Sequence, residues 1–134
     1  MVEPLKKVLD MDFEDAVKHI EKIIVEQGFS HMLTKNIDDI IKTKLGIDNY
    51  SRYTIILACA PQFAKAALDV SKDVGLLFPC SFAVYEDQGK VWVGHVSIMK
   101  VAAELGLAPA DRMEPVIEMT GAAVRAAWDT FTSR

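Results

Sequence analysis

The chain has 134 residues, 51% of them hydrophobic and 25% charged, with a formal net charge of −4. That is material for one domain with one real core, and the acidic balance argues against a general polyanion binder, which would carry a basic stripe. Seven glycines and five prolines exclude a collagen-like or low-complexity chain, and two cysteines are too few for a disulfide scaffold.

Met1 to Asp10 places Leu5, Val8 and Leu9 between charges and is expected to form a short first strand. It lacks the apolar run of a signal peptide, and no later stretch approaches the roughly 18 apolar residues of a membrane span. The expectation is therefore a cytoplasmic protein with no nucleic-acid or membrane partner. Asp12 opens the clearest helix. Phe13, Ala16, Val17, Ile20, Ile23 and Ile24 follow the 3.6-residue period, and Gly28 suits the position just past its end. Phe29 to Leu33 reads as a strand. Asn36 is placed to cap a second helix, with Ile37, Ile40, Ile41 and Leu45 as its inner face and Gly46 as its stop. Asp48 to Arg52 is loop.

Tyr53 to Cys59 is a continuous apolar, β-branched run, expected to be a central strand covered on both faces. Pro61 breaks it and suits the first turn of a helix carrying Phe63, Ala64, Ala67 and Leu68. Phe82 to Tyr85 and Val91 to Val96 flank a polar turn and read as a hairpin. Ile98 to Leu105 is a short helix or turn. The last helix lies between Asp111 and Thr132, with Met113, Ile117, Thr120, Val124, Ala127, Trp128 and Phe131 on one stripe. Its start is ambiguous, because Asp111 with Glu114 resembles a capping box while Pro115 suits a first turn. The class is α+β: a single sheet of four to five mostly antiparallel strands, with helices largely on one face.

The residues that carry possible chemistry are few. Cys59 and Cys80 each lie beside a proline, Pro61 and Pro79. Cys59 precedes a helix N-terminus, where free N–H groups favour a thiolate, so a reactive thiol or thiol pair is one reading. The other is that both are small buried hydrophobes. If their strands run antiparallel and adjacent, both sulfurs lie at one end of the sheet. No metal-ligand spacing links His19, His31 and His95. His31 and His95 are the weak metal candidates, through a meeting with Cys80 in space, and His19 reads as a solvated residue. Ser81 and Ser97 lie in no nucleophile elbow. Glu114 and Glu118 share a helical face that solvent explains. No phosphate loop or cofactor motif is present, and no residues of complementary catalytic roles are placed together.

In the hairpin, Phe82 and Val84 share a face with Cys80, while Ser81, Ala83 and Tyr85 share the other. That second side carries Tyr85 and either Trp92 or its valine neighbours. A mean hydropathy of +0.17 favours cover by a second copy, making Tyr85, Trp92 and, on the last helix, Trp128 the interface candidates of a homodimer. The alternative is cover by the last helix within one chain.

Four pieces taken together, Gly28-Phe29, Lys44-Leu45-Gly46, Ile56 to Pro61 and Leu76 to Glu86, resemble the bacterial and archaeal domain-of-unknown-function family 302. The resemblance runs from about Asp12 to Leu105 and leaves the last helix as an extension. It implies a compact α+β domain similar to TATA-binding-protein-like folds, often dimeric, and supplies no mechanism. The chain departs from the family pattern at three polar places. Cys59-Ala60-Pro61 replaces Cys-Asn-Pro, Thr34 and Asn36 replace an acidic pair, and Val96-Ser97 stands where Asp-Pro is usual. Two functions follow as expectations. One is a non-enzymatic small-ligand or thiol-responsive module built on Cys59, Pro61, Pro79 and Cys80; the other is an assembly protein acting through its dimer.

Overall fold

The structure, a computed structural model, describes residues 1–132. The elements are β1 (Leu5–Leu9), α1 (Phe13–Glu26), β2 (Ser30–Asn36), α2 (Ile37–Leu45) and β3 (Tyr53–Cys59). They continue with α3 (Pro61–Val70), a 3-10 turn (Lys72–Leu77), β4 (Cys80–Asp87), β5 (Lys90–His95), α4 (Ile98–Glu104) and α5 (Ala110–Phe131). The strands form one sheet in the order β1-β5-β4-β3-β2, every neighbouring pair antiparallel. An α+β domain with one open sheet results, as the mixed patterning implies.

The long apolar stripe of α1 is buried along its whole length, from Phe13 to Ile24. Its end is a Schellman arrangement: the Gly28 N–H donates to the Val25 carbonyl and the Phe29 N–H to the Ile24 carbonyl. Gly28 takes φ +94°, a value natural only for glycine, and the turn drops Phe29 into the core. The β4–β5 hairpin closes on a two-residue turn rather than the five-residue one expected. Gln88 and Gly89 both have positive φ, the type I′ geometry that matches strand twist.

Three sequence expectations give way. β3 is covered on one face only: Thr54, Ile56 and Ala58 are buried, while Tyr53, Ile55 and Leu57 are half-exposed. A one-face cover suffices because neighbouring strands shield the second row edge-on. α2 does not bury its isoleucines. Its one buried residue is Asp38, and Ile40 and Leu45 are exposed, because the helix has β3 as its main neighbour. Asn36 holds the N-cap position of α2, but its side chain caps no N–H; its Oδ1 instead accepts the Thr54 hydroxyl at 2.6 Å. Asp38 anchors α2 by accepting from the Tyr53 N–H and from Arg52 Nε, both at 3.1 Å. Arg52 also bonds Glu14 of α1 and lies 4.4 Å above the Phe13 ring. The Glu14 hydrogen bond, with the nearby carboxylates, holds the guanidinium pKa above its ordinary value.

Two apolar clusters share α5. The larger joins α1, the sheet's covered face and the C-terminal end of α5 through Ala127 and Phe131. The smaller joins α3, α4 and the start of α5 through Met113 and Val116. α5 begins at Ala110 without a side-chain cap and carries Pro115 inside its second turn, so neither expected start is used. No helix of the described residues is long and apolar enough to cross a membrane.

Candidate functional site

Between the two clusters, at the end of the sheet where β3 finishes and β4 begins, lies a cavity of about 700 Å³. Antiparallel pairing of β3 with β4 sets Ala58 opposite Cys80, which brings both cysteines to this end. Cys59, Cys80, Ala58 and His95 line the floor. Phe29 and Phe63 form one wall, Ile98 and Met99 of α4 another, and Thr120, Gly121, Val124 and Trp128 of α5 a third. The rim carries both signs of charge: Lys100 and Arg125 against Glu3, Glu104 and Asp129. The N-terminal residues run along this rim, with the Val2 N–H donating to Glu104 Oε2 at 2.8 Å.

Of the four ligand or thiol candidates, Cys59, Pro79 and Cys80 line the cavity, and Pro61 lies exposed in the first turn of α3. Both cysteines are free thiols. The expected lowering of a thiol pKa is not what Cys80 shows. Burial raises it to about 11, and the neighbouring Cys59 adds to the rise. A desolvated thiolate is disfavoured, so Cys80 is neutral at physiological pH.

The histidines separate. His95 is buried, stacks on Phe82 at 4.4 Å and bonds the Ser81 carbonyl through Nδ1 at 2.8 Å. Burial lowers its pKa, partly opposed by that hydrogen bond. The carbonyl only accepts, so Nδ1 carries the proton and Nε2 is a bare acceptor. His31 lies on β2, with β3 and β4 between it and His95 on β5, and meets Thr34 and Glu21 of α1 at the sheet's edge. The proposed meeting of His31, His95 and Cys80 therefore does not occur. Among the described residues no three His, Cys, Asp or Glu side chains group so as to hold a metal. His19 is not simply solvated: its ring Nε2 bonds the Phe131 carbonyl at 3.1 Å and ties α1 to the end of α5.

The interface candidates divide between the two sides of the sheet. Tyr85 stands on the open side, stacked with Tyr53 at 5.4 Å and with Trp92 at 6.5 Å across β3, β4 and β5. Burial raises the Tyr53 pKa, with Tyr85 and Tyr50 contributing. Trp128 stands on the other side, against Phe131 at 6.2 Å, as part of the cavity wall. Sequence reasoning missed the contribution of α5 to the cavity. The available signal was the Thr120-Gly121 pair, a small polar break in an otherwise large apolar stripe.

The model of the family described as "Domain of unknown function DUF302" matches residues 5–129. The chain belongs to that family. The match is wider than the sequence motifs alone suggest, since it takes in β1 and nearly all of α5. Among solved structures, the chain is similar to an uncharacterised conserved DUF302 protein from Bacillus stearothermophilus. The two align with a TM-score of 0.83 at 17% identity, over 95% of this chain and 96% of that one. At that identity the likeness concerns the fold. Comparison with curated proteins gives no match.

Proposed function

We propose that this DUF302 protein is a binding module for a small, mostly apolar molecule held in the cavity at the β3–β4 end of the sheet. The observation that carries this reading is a space of about 700 Å³ walled mainly by aromatic and aliphatic side chains, with His95 and two cysteines on its floor. Volumes of roughly 300–1,000 Å³ with apolar walls and few polar groups are typical of small-molecule sites. The neutral state of Cys80 speaks for a polar wall element rather than a nucleophile.

Trp128 offers the test. In a Trp92→Phe background it is the sole tryptophan, and it lines the cavity. Saturable change of its emission on titration with 2-naphthol or 2-methoxynaphthalene is expected, and Gly121→Phe, which projects a ring into the space, should abolish it. No saturable response to either probe up to about 1 mM, where binding energy is only about 4 kcal/mol, overturns the reading.

A second reading, assembly through a homodimer, is supported by a different observation. The open side of the sheet carries the Tyr53, Tyr85 and Trp92 ladder together with Ile55, Leu57 and Ala83, and none of these residues belongs to either apolar cluster built with the helices. α5 belongs to the other side, so cover by that helix within one chain is not what the fold provides.

A further inference from the structure

Resting on the cavity being a binding site, we infer that its ligand is an uncharged, largely apolar molecule bearing one hydroxyl or N–H donor, oriented by donation to Nε2 of His95. Three observations converge on this. His95 is 6% exposed, so almost all of its ring is withdrawn from bulk water. Its Nδ1 is committed to the Ser81 carbonyl, which fixes the tautomer and leaves Nε2 as an acceptor. Among the described residues no sealed side-chain nitrogen or oxygen lacks a partner, and no partner stands against Nε2. Nε2 is therefore not sealed in. The ring lies with Phe82 on the helix-covered side of the sheet, and the open space it borders there is the cavity.

The rest of the site narrows the ligand's chemistry. The two thiols on the floor are weak donors and weak acceptors, which leaves the imidazole as the strongest acceptor there. The Phe29, Phe63 and Trp128 rings accept planar apolar bodies. A charge carried to the floor would meet no counter-charge, because Lys100, Arg125, Glu104 and Asp129 are confined to the exposed rim. With both signs present, the rim itself selects neither anions nor cations. Phenols, aliphatic alcohols and neutral heteroaromatic N–H compounds share the required chemistry.

Matched probes test it. 2-Naphthol donates one hydrogen bond, 2-methoxynaphthalene has the same body without the donor, and 2-naphthoate carries a charge. Titrated against the Trp92→Phe protein, 2-naphthol is expected to bind about tenfold more tightly than 2-methoxynaphthalene, the worth of one buried hydrogen bond. His95→Phe should bring that ratio to about one. Should His95→Phe fail to fold, imidazole ¹⁵N spectra of the unsubstituted chain supply the second measurement. They should show Nε2 unprotonated and shifted by 2-naphthol but not by 2-methoxynaphthalene. Equal binding of these two probes, or still tighter binding of 2-naphthoate when the neutral pair also binds, overturns this inference and leaves the cavity reading standing. Failure of both neutral probes to bind overturns both.

Discussion

Cys80 and His95 share the cavity floor and meet burial with opposite pKa changes that have the same result. Withdrawing a group from water penalises its charged form, so the thiol rises to about 11 and the imidazole falls. Both are neutral at pH 7. For Cys80, an ordinary thiol near 9.0 has about a hundredfold more thiolate at the same pH. In a Cys59→Ser variant, which keeps the burial but removes the Cys59 contribution, alkylation by iodoacetamide at pH 7.5 should therefore run well below that of a free thiol and keep climbing past pH 9. A rate equal to that of N-acetylcysteine would sink the burial account. For His95, the unfolded chain binds its proton more tightly than the folded one, so stability is complete above the unfolded value of about 6.5 and declines as pH falls through it. The decline is bounded by about 1.4 kcal/mol per pH unit. Urea midpoints measured from pH 7.5 to 5 should fall less steeply for His95→Phe than for the unsubstituted chain, and parallel slopes would count against the assignment.

At the scale of elements, α5 is the piece that ties the two clusters and makes the cavity. Its first turns pack Met113 and Val116 into one cluster and its last turns pack Ala127 and Phe131 into the other. Between them the helix presents Thr120, Gly121 and Val124 to open space. Gly121 shows the consequence: a Cβ added there meets nothing within 4 Å. Gly121→Ala should stabilise the fold by about 0.5–1 kcal/mol, the usual difference between the two residues inside a helix, read as a raised urea midpoint. A loss of stability would mean that the helix needs glycine's freedom there. α2 poses the opposite case, a helix held by one polar anchor instead of an apolar face. Asp38→Ala leaves the Tyr53 N–H without its acceptor and Arg52 with Glu14 as its remaining carboxylate, and should destabilise by about 1–3 kcal/mol. Amide exchange should then quicken within Ile37–Leu45 and leave α1 unchanged; uniform quickening would show that α2 is not held separately.

These two helices also show what was legible in the sequence. α1, the Gly28 stop, the Pro61 start and the hairpin follow from local period and turn chemistry, and they appear where expected. The meeting of Cys59 and Cys80 at one sheet end was open in the sequence, since parallel strands would have separated them, and the antiparallel β3–β4 pairing decides it. The fate of the α2 isoleucines was not legible, because a 3.6-residue stripe states that a helix has an apolar side and not that a surface exists to receive it. His95 was visible only as a metal candidate. Its role as a neutral acceptor depends on the Ser81 carbonyl, 14 residues away and opposite it only after the hairpin forms. The cavity itself is a gap between distant elements, and no residue's spacing records a gap.

For the whole molecule, the one-sided packing of helices leaves a face whose area sets the remaining question. Five strands about 4.8 Å apart and about 20 Å long project roughly 500 Å² per chain, so two copies face to face enclose roughly 1,000 Å². That is near the lower bound for a stable interface, which makes its aromatic content decisive. Tyr53, Tyr85 and Trp92 supply stacked rings across the three middle strands, towards the β4–β5 turn, while Lys6 of β1 and Lys35 of β2 stand near the two edges of the face. A second copy seated there would bury the rings and leave the lysines at the rim, the distribution that interfaces favour. The expected outcome is a dimer at micromolar concentration by sedimentation equilibrium, converted to monomer by Tyr85→Glu or Trp92→Glu through a buried, unpaired carboxylate. Trp128→Ala, on the opposite side in the cavity wall, should leave the dimer intact and alter probe binding instead. A monomeric parent chain removes the assembly reading, and a dimer that survives both glutamates but not Trp128→Ala moves the contact to α5. Either result leaves the cavity reading to its own test, because the ladder and the cavity lie on opposite sides of the same sheet.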